Sequence, residues 1–453
     1  MGKDVRESDA DVLSGAVGVG LIGFGTIGAG VAKVLRDNAS VIEQRLGFPL
    51  RLARIADLDL ETDRGVDVSG IVFDRDTEGL IADPAVEIVI ELIGGYDVAR
   101  RFMLAAIDAG KHVVTANKAL LALHGAEIFA AADAKGVDVA FEASVGGGIP
   151  ILRSLREGLA ANRIESLHGI MNGTTNYVLT EMERTAEDFE VVLKRAQELG
   201  YAEADPTFDV DGIDAAHKLA LLVGMAFGAK LTYKEIPTEG IRGLTPVDFE
   251  AAEEFGYRFK LLGIAKSRDD GDGEQIEARV QPTLVPSGSL LAKVDGAMNA
   301  IAVHGNAVGP TLFYGAGAGE LPTASAVVAD LMEIAREIRR GRAGRVAPLS
   351  YAPGELREKP LVPLGELEGR YFLNFTAADE PNVLAHITGA LGEHGVSIES
   401  VLQKRSGEER GSVPVIVLTH PAREAHVRAA LEAIDALEDV TAPTRLVRVE
   451  EEL

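Results

Sequence analysis

The hexapeptide Gly23-Phe-Gly25-Thr-Ile-Gly28 narrows most sharply what this chain can fold into. It follows a short apolar run, Ala16 to Ile22, and opens a helical pattern through Val31, Val34 and Leu35. Strand, glycine turn, helix is the context in which G-x-G-x-x-G reads as a dinucleotide fingerprint. The first glycine permits the tight turn, the second lets a pyrophosphate approach the backbone, and the third brings helix against sheet. Free N–H groups of the first helical turn then face the phosphates. Asp57 falls where a second strand, Leu50 to Ile55, should end. An acid there hydrogen-bonds ribose hydroxyls and repels a 2′-phosphate. Arg54 and Arg64 are close enough in sequence to offset that repulsion, so the choice between NAD and NADP stays open.

Beyond the turn, apolar runs alternate with helical stretches. Ile88 to Ile93 ends in Gly94-Gly95, His112 to Thr115 ends at Asn117-Lys118, and Val137 to Phe141 follows. This alternation predicts an α/β fold: a parallel, doubly wound, Rossmann-type sheet over residues 16–142, after a loose tail at 1–15. Residues 143–314 mix a glycine loop, a helix near Ala186 to Leu199, an acidic loop and strands such as Ile276 to Leu284, and read as α+β. Residues 315–345 carry a glycine patch, Gly315 to Gly319, and a helix, Ala324 to Arg340; the proline-bearing stretch 346–369 reads as a linker. In 370–453, strands at Tyr371–Phe375, Val396–Gln403, Val413–Leu418 and Thr444–Val449 and helices at Val383–His394 and Arg423–Leu437 give the order βαββαβ of a ferredoxin-like unit.

Gross composition sets the bounds. At roughly 150 residues per domain, 453 residues suggest about three domains. Trp is absent, so aliphatic side chains must supply most of the packing. A formal net charge of −25 speaks against nucleic acid and against a polybasic membrane contact. The lack of cysteine excludes disulfides, zinc–thiolate sites and a thiol nucleophile. Met1 to Ser14 is polar and acidic, unlike a signal peptide, and the apolar helical stretch Leu219 to Phe227 is too short to cross a bilayer, so a cytoplasmic protein is expected.

The acidic loop Glu203-Ala-Asp205-Pro-Thr-Phe-Asp209-Val-Asp211-Gly-Ile-Asp214-Ala-Ala-His-Lys218 carries the chemistry. A calcium loop in this register would place Lys218 where a bidentate Glu is required, which rules that reading out. A surface i,i+4 pair of Asp214 with Lys218 is the plain alternative. Yet Leu219, Leu221, Leu222, Val223, Met225 and Phe227 make the following helix apolar nearly all round, as in a buried helix. A lysine at the head of such a helix, one turn after a carboxylate, suits proton transfer. Alcohol oxidation needs a base for the hydroxyl proton and an acceptor for the hydride. Neighbouring carboxylates can hold an ammonium group, which suggests a small amino alcohol as substrate.

The run from Ala196 through Gly200, Asp205, Pro206, Asp209, Gly212 and Asp214 to Lys218 resembles the signature of the homoserine dehydrogenases. Gly23 to Gly28, Thr115-Ala-Asn-Lys118, Glu142 to Pro150, Gly169-Ile-Met-Asn172-Gly-Thr-Thr-Asn176 and Tyr314 to Gly319 are similar to the same family, so the likeness covers the chain after the tail. It implies reversible oxidation of L-homoserine to L-aspartate 4-semialdehyde in threonine and methionine synthesis, with NADP or NAD. It implies Lys218 as acid/base, Asp214 as its partner and Lys118 near the nicotinamide and substrate. Glu203 would bind the substrate amino group, with Asn172, Thr174 and Thr175 beside the substrate. The cofactor would meet Gly23, Gly25, Thr26, Ile27, Gly28, Asp57, Gly95, Thr115, Lys118 and Gly319. Glu142, Val145, Gly147 and Ile149 would form a monovalent cation site, for Na+ or K+, mostly from backbone carbonyls. The helix after Gly319 would return to the nucleotide domain, and residues 143–314 would form a homodimer, alone or within a higher homo-oligomer. The C-terminal unit is similar to an ACT domain, with Asn382 in place of the usual glycine; this implies an amino-acid effector, with L-threonine the expected one, and a module dispensable for chemistry. Two other readings are weaker. Aspartate-semialdehyde dehydrogenase needs a thiol that is missing, and an inert nucleotide sensor would not need Lys118, Glu203, Asp214 and Lys218 together.

Overall fold

The computed structural model describes residues 15–269, 273–352, 354–403 and 411–453. The expected tail, Gly15 apart, lies outside them. Contacts divide the chain into two units. The first gathers Met1–Arg163, Ala220–Tyr233 and Phe313–Arg357, and the second Ile164–Leu219, Lys234–Leu312 and Glu358–Leu453. Six helices position the functional groups: α1 (Thr26–Asp37), α2 (Gly173–Thr185), α3 (Ile213–Phe227), α4 (Glu320–Arg339), α5 (Val383–Glu393) and α6 (Glu424–Asp435).

The first unit is built on strands β1 (Val17–Ile22), β2 (Leu50–Ala56), β3 (Val72–Asp74), β4 (Ile88–Glu91), β5 (His112–Thr115) and β6 (Val139–Ala140), in the order β3-β2-β1-β4-β5-β6. The pairs are parallel, so this is the doubly wound sheet expected, with its reversal of strand order between β1 and β4. All of β1 and β4 is buried, which accounts for their unbroken apolar runs. The carboxyl ends are level: Ile22 pairs with Ala56 and with Glu91, and Glu91 with Thr115. Helix α4 packs along α1, with Ala324, Val327, Val328 and Leu331 in the core shared with Ala29, Val31 and Ala32, and Lys33 paired with Glu320 at 2.6 Å.

The second unit has a ten-stranded sheet. β7 (Ile164–Ile170), β8 (Tyr257–Asp269), β9 (Glu274–Pro286), β10 (Met298–Gly305) and β11 (Gly309–Ala316) come first, then β12 (Glu368–Ala378), β13 (Ile398–Gln403), β14 (Ser412–Thr419), β15 (Ala422–Arg423) and β16 (Val440–Val449). The path runs β11-β10-β7-β8-β9-β16-β12-β14-β13, with β15 on β12. The last part is the βαββαβ unit, with its own core of Tyr371, Leu373, Phe375, Ile387, Val417, Val427 and Ile434 under α5 and α6. It does not stand apart behind a linker, as its sequence suggested. β16 joins β9 in parallel at Arg448–Thr283 and Val449–Leu284, making one continuous sheet. Two other differences have local causes. β3 escapes periodicity because it is three residues long in a polar stretch. The helix expected from Ala186 begins at Phe189, because Ala186 closes α2 in the left-handed region at φ 54°.

Candidate active site

The glycine turn sits at the carboxyl end of β1. Gly23 has φ 96°, and a Cβ there would overlap the carbonyl of Leu92; a Cβ on Gly28 would overlap the carbonyl of Gly23. Gly25, the residue before α1, has no heavy atom within 4 Å of where its Cβ would be. It is exposed, as is Thr26, the first helical residue, and Ile27 is partly buried. The turn therefore leaves an open approach to free amides, which fits a pyrophosphate. Asp57 is bound into the turn: its Oδ2 accepts the Phe24 N–H and its Oδ1 the Asp59 N–H at 2.8 Å. Arg64 lies 3.9 Å from the Asp57 carboxylate, pairs with Asp59 at 3.0 Å and stacks 5.5 Å from the Phe24 ring centroid, and Arg54 pairs with Asp74 at 2.9 Å.

Along the same crevice, a residue that sequence reasoning missed organises the next two loops. Glu91, fully buried at the end of β4, accepts the N–H groups of Ile93 (2.9 Å) and Gly94 (3.1 Å) and the hydroxyl of Thr115 (2.7 Å). An acid closing an otherwise apolar strand was the available signal. Asn117 ties the loops together through Gly95 O at 2.8 Å and caps the helix that Lys118 begins. Gly319 caps α4 at φ 117°.

The acidic loop condenses, in the second unit, around Asn172. This residue ends the segment after β7 and caps α2, its Oδ1 accepting the Thr175 N–H at 2.8 Å. Its Nδ2 donates to Asp209 Oδ1 (2.7 Å) and to Asp214 Oδ2 (2.8 Å). The same Asp214 oxygen accepts from Lys218 Nζ at 2.8 Å, and Nζ donates again to the Met171 carbonyl at 2.6 Å. Thr174 Oγ1 lies 3.1 Å from Asp209 Oδ2 and 2.6 Å from Tyr201 O. Asp214, Lys218 and Asn172 are all buried, so the pair is an internal one rather than a surface i,i+4 bridge. Burial and the neighbouring Asp214 carboxylate raise the Asp209 carboxyl above its usual range.

Asp209, part of the sequence signature but without an expected role, thus stands in the cluster with Lys218, Asp214, Asn172, Thr174 and Thr175. Glu203 does not join it: it is exposed, and its backbone carbonyl accepts from Gln197 Nε2 at 3.0 Å. Asn176 turns away to the carbonyls of Val294, Gly296 and Met298.

The segment expected to bind a cation is buried at Glu142, Val145, Gly147 and Ile149. The Glu142 side chain accepts the amides of Leu152 (2.9 Å) and Arg153 (2.7 Å), and its backbone carbonyl accepts the Val145 N–H at 3.4 Å. Asp330 of α4, 1% exposed, accepts the Glu142 N–H at 2.8 Å. Burial, then the facing Asp330, pushes Glu142 up to about 7; burial pushes Asp330 up to about 6. Among the described residues no group of three or more His, Asp or Glu side chains could hold a metal ion, and of the four carbonyls expected to bind a cation, that of Ile149 accepts the Ile151 N–H at 2.8 Å.

A reversing parallel sheet with an open glycine turn, in a chain that also buries a lysine–carboxylate cluster, defines the class: a nicotinamide-dependent oxidoreductase. Residues 23–142 match the family of homoserine dehydrogenase NAD-binding domains, 150–332 the homoserine dehydrogenase family and 371–439 the ACT domain. Homoserine dehydrogenase of Pseudomonas aeruginosa is 48% identical over 96% of this chain and 99% of its own, and that of Neisseria gonorrhoeae 47% over 96% and 98%. The crystal structure of a homoserine dehydrogenase from Thiobacillus denitrificans superposes with a TM-score of 0.90 at 49% identity, covering 96% of this chain and 98% of that one. The chain belongs to the homoserine dehydrogenase family.

Proposed function

We propose that the protein reversibly oxidises L-homoserine to L-aspartate 4-semialdehyde, with Lys218 as the proton carrier. The observation that carries this is the buried Lys218 Nζ held between Asp214 Oδ2 and Met171 O. A bound nicotinamide coenzyme supplies the hydride acceptor. As the free amine, Lys218 takes the hydroxyl proton in oxidation and becomes an ammonium, which returns the proton in reduction. Asp214 fixes the direction of Nζ, and Asn172 fixes Asp214 while holding Asp209 in the same network. Asp209 and Glu203 offer carboxylates to the substrate ammonium group, Glu203 from its exposed loop. Thr174 and Thr175 hold the geometry of the cap on which Asn172 sits. Lys118 acts at the coenzyme crevice, at the head of its helix.

The carbonyls of Glu142, Val145, Gly147 and Ile149 would hold Na+ or K+. The central residues 143–314 form a homodimer, the protein acts in the cytoplasm, and L-threonine binds at the ACT domain near Asp379 to Val383. Asn382 there adopts φ 74°, the conformation for which glycine is usual, so the loop before α5 keeps its turn. Among the described residues no helix is long and apolar enough to cross a membrane. Turnover is the direct test: purified protein should reduce NAD+ or NADP+ in the presence of L-homoserine, and inactivity with both would defeat the reading.

Coenzyme choice follows from Asp57 and Arg64 together. An arginine beside the strand-end acid offsets its repulsion of a 2′-phosphate, so both coenzymes are used. Arg64→Ala should lower kcat/KM for NADP relative to NAD by on the order of tenfold, about 1.4 kcal/mol of lost contact. Asp57→Asn, which keeps an acceptor for the turn, should shift the ratio the other way. Equal losses for both coenzymes in Arg64→Ala would show that Arg64 serves only the fold of the turn.

A further inference from the structure

Gly169 and Gly263 stand directly opposite each other across β7 and β8. Neither position is spare. A Cβ on Gly169 would overlap Cε of Met171 and lie 2.9 Å from its Cγ, and a Cβ on Gly263 would lie 3.0 Å from Cε and 3.4 Å from Sδ. The paired glycines therefore form a slot on one face of the sheet, and the Met171 side chain fills it, 1% exposed. Leu219 closes the same place, its Cδ1 3.7 Å from the Gly263 Cβ position.

Both residues flank the lysine contact. Met171 supplies the carbonyl that accepts Lys218 Nζ at 2.6 Å, and Leu219 directly follows Lys218 on α3. Met171 also lies between the last residue of β7, Ile170, and the cap Asn172. The slot thus anchors the acceptor, the residue after the donor and the start of the cap at one point. An unbranched thioether suits such an irregular space, and the absence of side chains at 169 and 263 is what admits it.

We propose that the Gly169–Gly263 slot and the Met171 side chain are positioning elements for the reaction, aiming Lys218 through the Met171 carbonyl. The inference rests on Lys218 as the proton carrier. Positioning of this kind acts on the chemical step. A misplacement of about 1 Å costs about 10²-fold in rate, while substrate and coenzyme still find their own ligands.

Steady-state kinetics of the full-length protein provide the test. Gly263→Ala, whose new methyl makes the thioether end give by a few tenths of an ångström, should lower kcat by roughly several-fold, with KM for homoserine and coenzyme affinity unchanged. Adding Met171→Leu, whose shorter side chain lacks the Cε that the new methyl meets, should return kcat close to that of Met171→Leu alone. Met171→Ala, which withdraws the side chain without adding an atom, should lower kcat with KM held, and it serves if Gly263→Ala does not fold. Wild-type kcat in Gly263→Ala or Met171→Ala overturns the proposal. So does a loss that Met171→Leu fails to relieve, or a parallel change in KM. Lys218→Ala separates the two levels: wild-type kcat there removes the parent reading, whereas a large loss there with no effect at the slot removes only this one.

Discussion

Lys218→Ala is expected to lower kcat for homoserine oxidation by about 10²–10⁴, the range of acid–base catalysis, with coenzyme affinity unchanged. Lys218 belongs to the second unit and the glycine turn to the first, so a variant that loses turnover while still binding coenzyme separates chemistry from folding of the nucleotide unit. Asp214 should act on the same step. Its Oδ2 accepts from both Lys218 and Asn172, so removing the carboxylate leaves the buried Lys218 Nζ with one carbonyl acceptor. Breaking a buried pair in this way costs about 3–5 kcal/mol, part of which would appear as lost stability; Asp214→Asn is the cleaner probe. The double variant should be far from additive, as for residues acting as a unit. Wild-type kcat in Lys218→Ala would place the proton carrier elsewhere.

The second large effect reverses what the sequence suggests about the C-terminal unit. Read as a separate module, it should be removable near Pro360, with loss of threonine sensitivity and little else. The structure makes removal costly. β9 would lose its neighbour β16, exposing a sheet edge. Phe259, 2% exposed, packs 5.9 Å from the ring of Phe372, and Phe255 lies 6.4 Å from it. Arg279 pairs with Glu450 at 3.2 Å and Lys266 with Glu450 at 2.9 Å; Asp248, fully buried, pairs with Arg445 and accepts from Asn374 at 2.6 Å. At about 1.5–3 kcal/mol for each large apolar side chain exposed, several kcal/mol are lost. A chain ending near Pro360 should therefore aggregate, or melt lower by on the order of 10 °C. Thermal unfolding and size-exclusion profiles would show it. A truncated protein with the melting temperature and activity of the full chain would mean that the shared sheet contributes no stability. Effector sensitivity is better tested in the intact chain, where Asn382→Gly should preserve the loop and the response to millimolar threonine.

Much of this molecule was legible before its structure, for identifiable reasons. Gly23, Gly25 and Gly28 announce themselves because their spacing is local, between one strand and one helix, even though what crowds Gly23 is Leu92 just past the end of β4 and Gly25 faces open space. Lys218 was found because α3 is apolar all round, and a cation at the head of such a helix must be accommodated. The rest is long-range. Asp209 acquires its meaning from Asn172, 37 residues earlier, and periodicity carries no trace of that pairing. Asp330 lies three residues after Val327 and four before Ile334, on the buried face of α4, yet its partner, the Glu142 amide, is 188 residues away. α2 was unseen because Gly173, Thr174 and Thr175 are poor helix formers, and the cap that starts it depends on Asn172 facing the acidic loop. Glu203 and Asn176 show the converse: membership of a motif did not place either side chain in the cluster.

The packing of α4 on α1 sets a timetable for biogenesis. Lys33 and Glu320, which pair across it, are 287 residues apart. At about 5–20 residues per second, a ribosome takes roughly 15–60 s to cover that distance. Throughout that interval the nascent β1–α1 hairpin waits with Ala29, Val31 and Ala32 uncovered, while the whole second unit up to Leu312 is made. The first strand and helix of the nucleotide unit are thus made early and covered late, and the emerging chain exposes that helix face meanwhile to whatever holdase meets it at the tunnel exit.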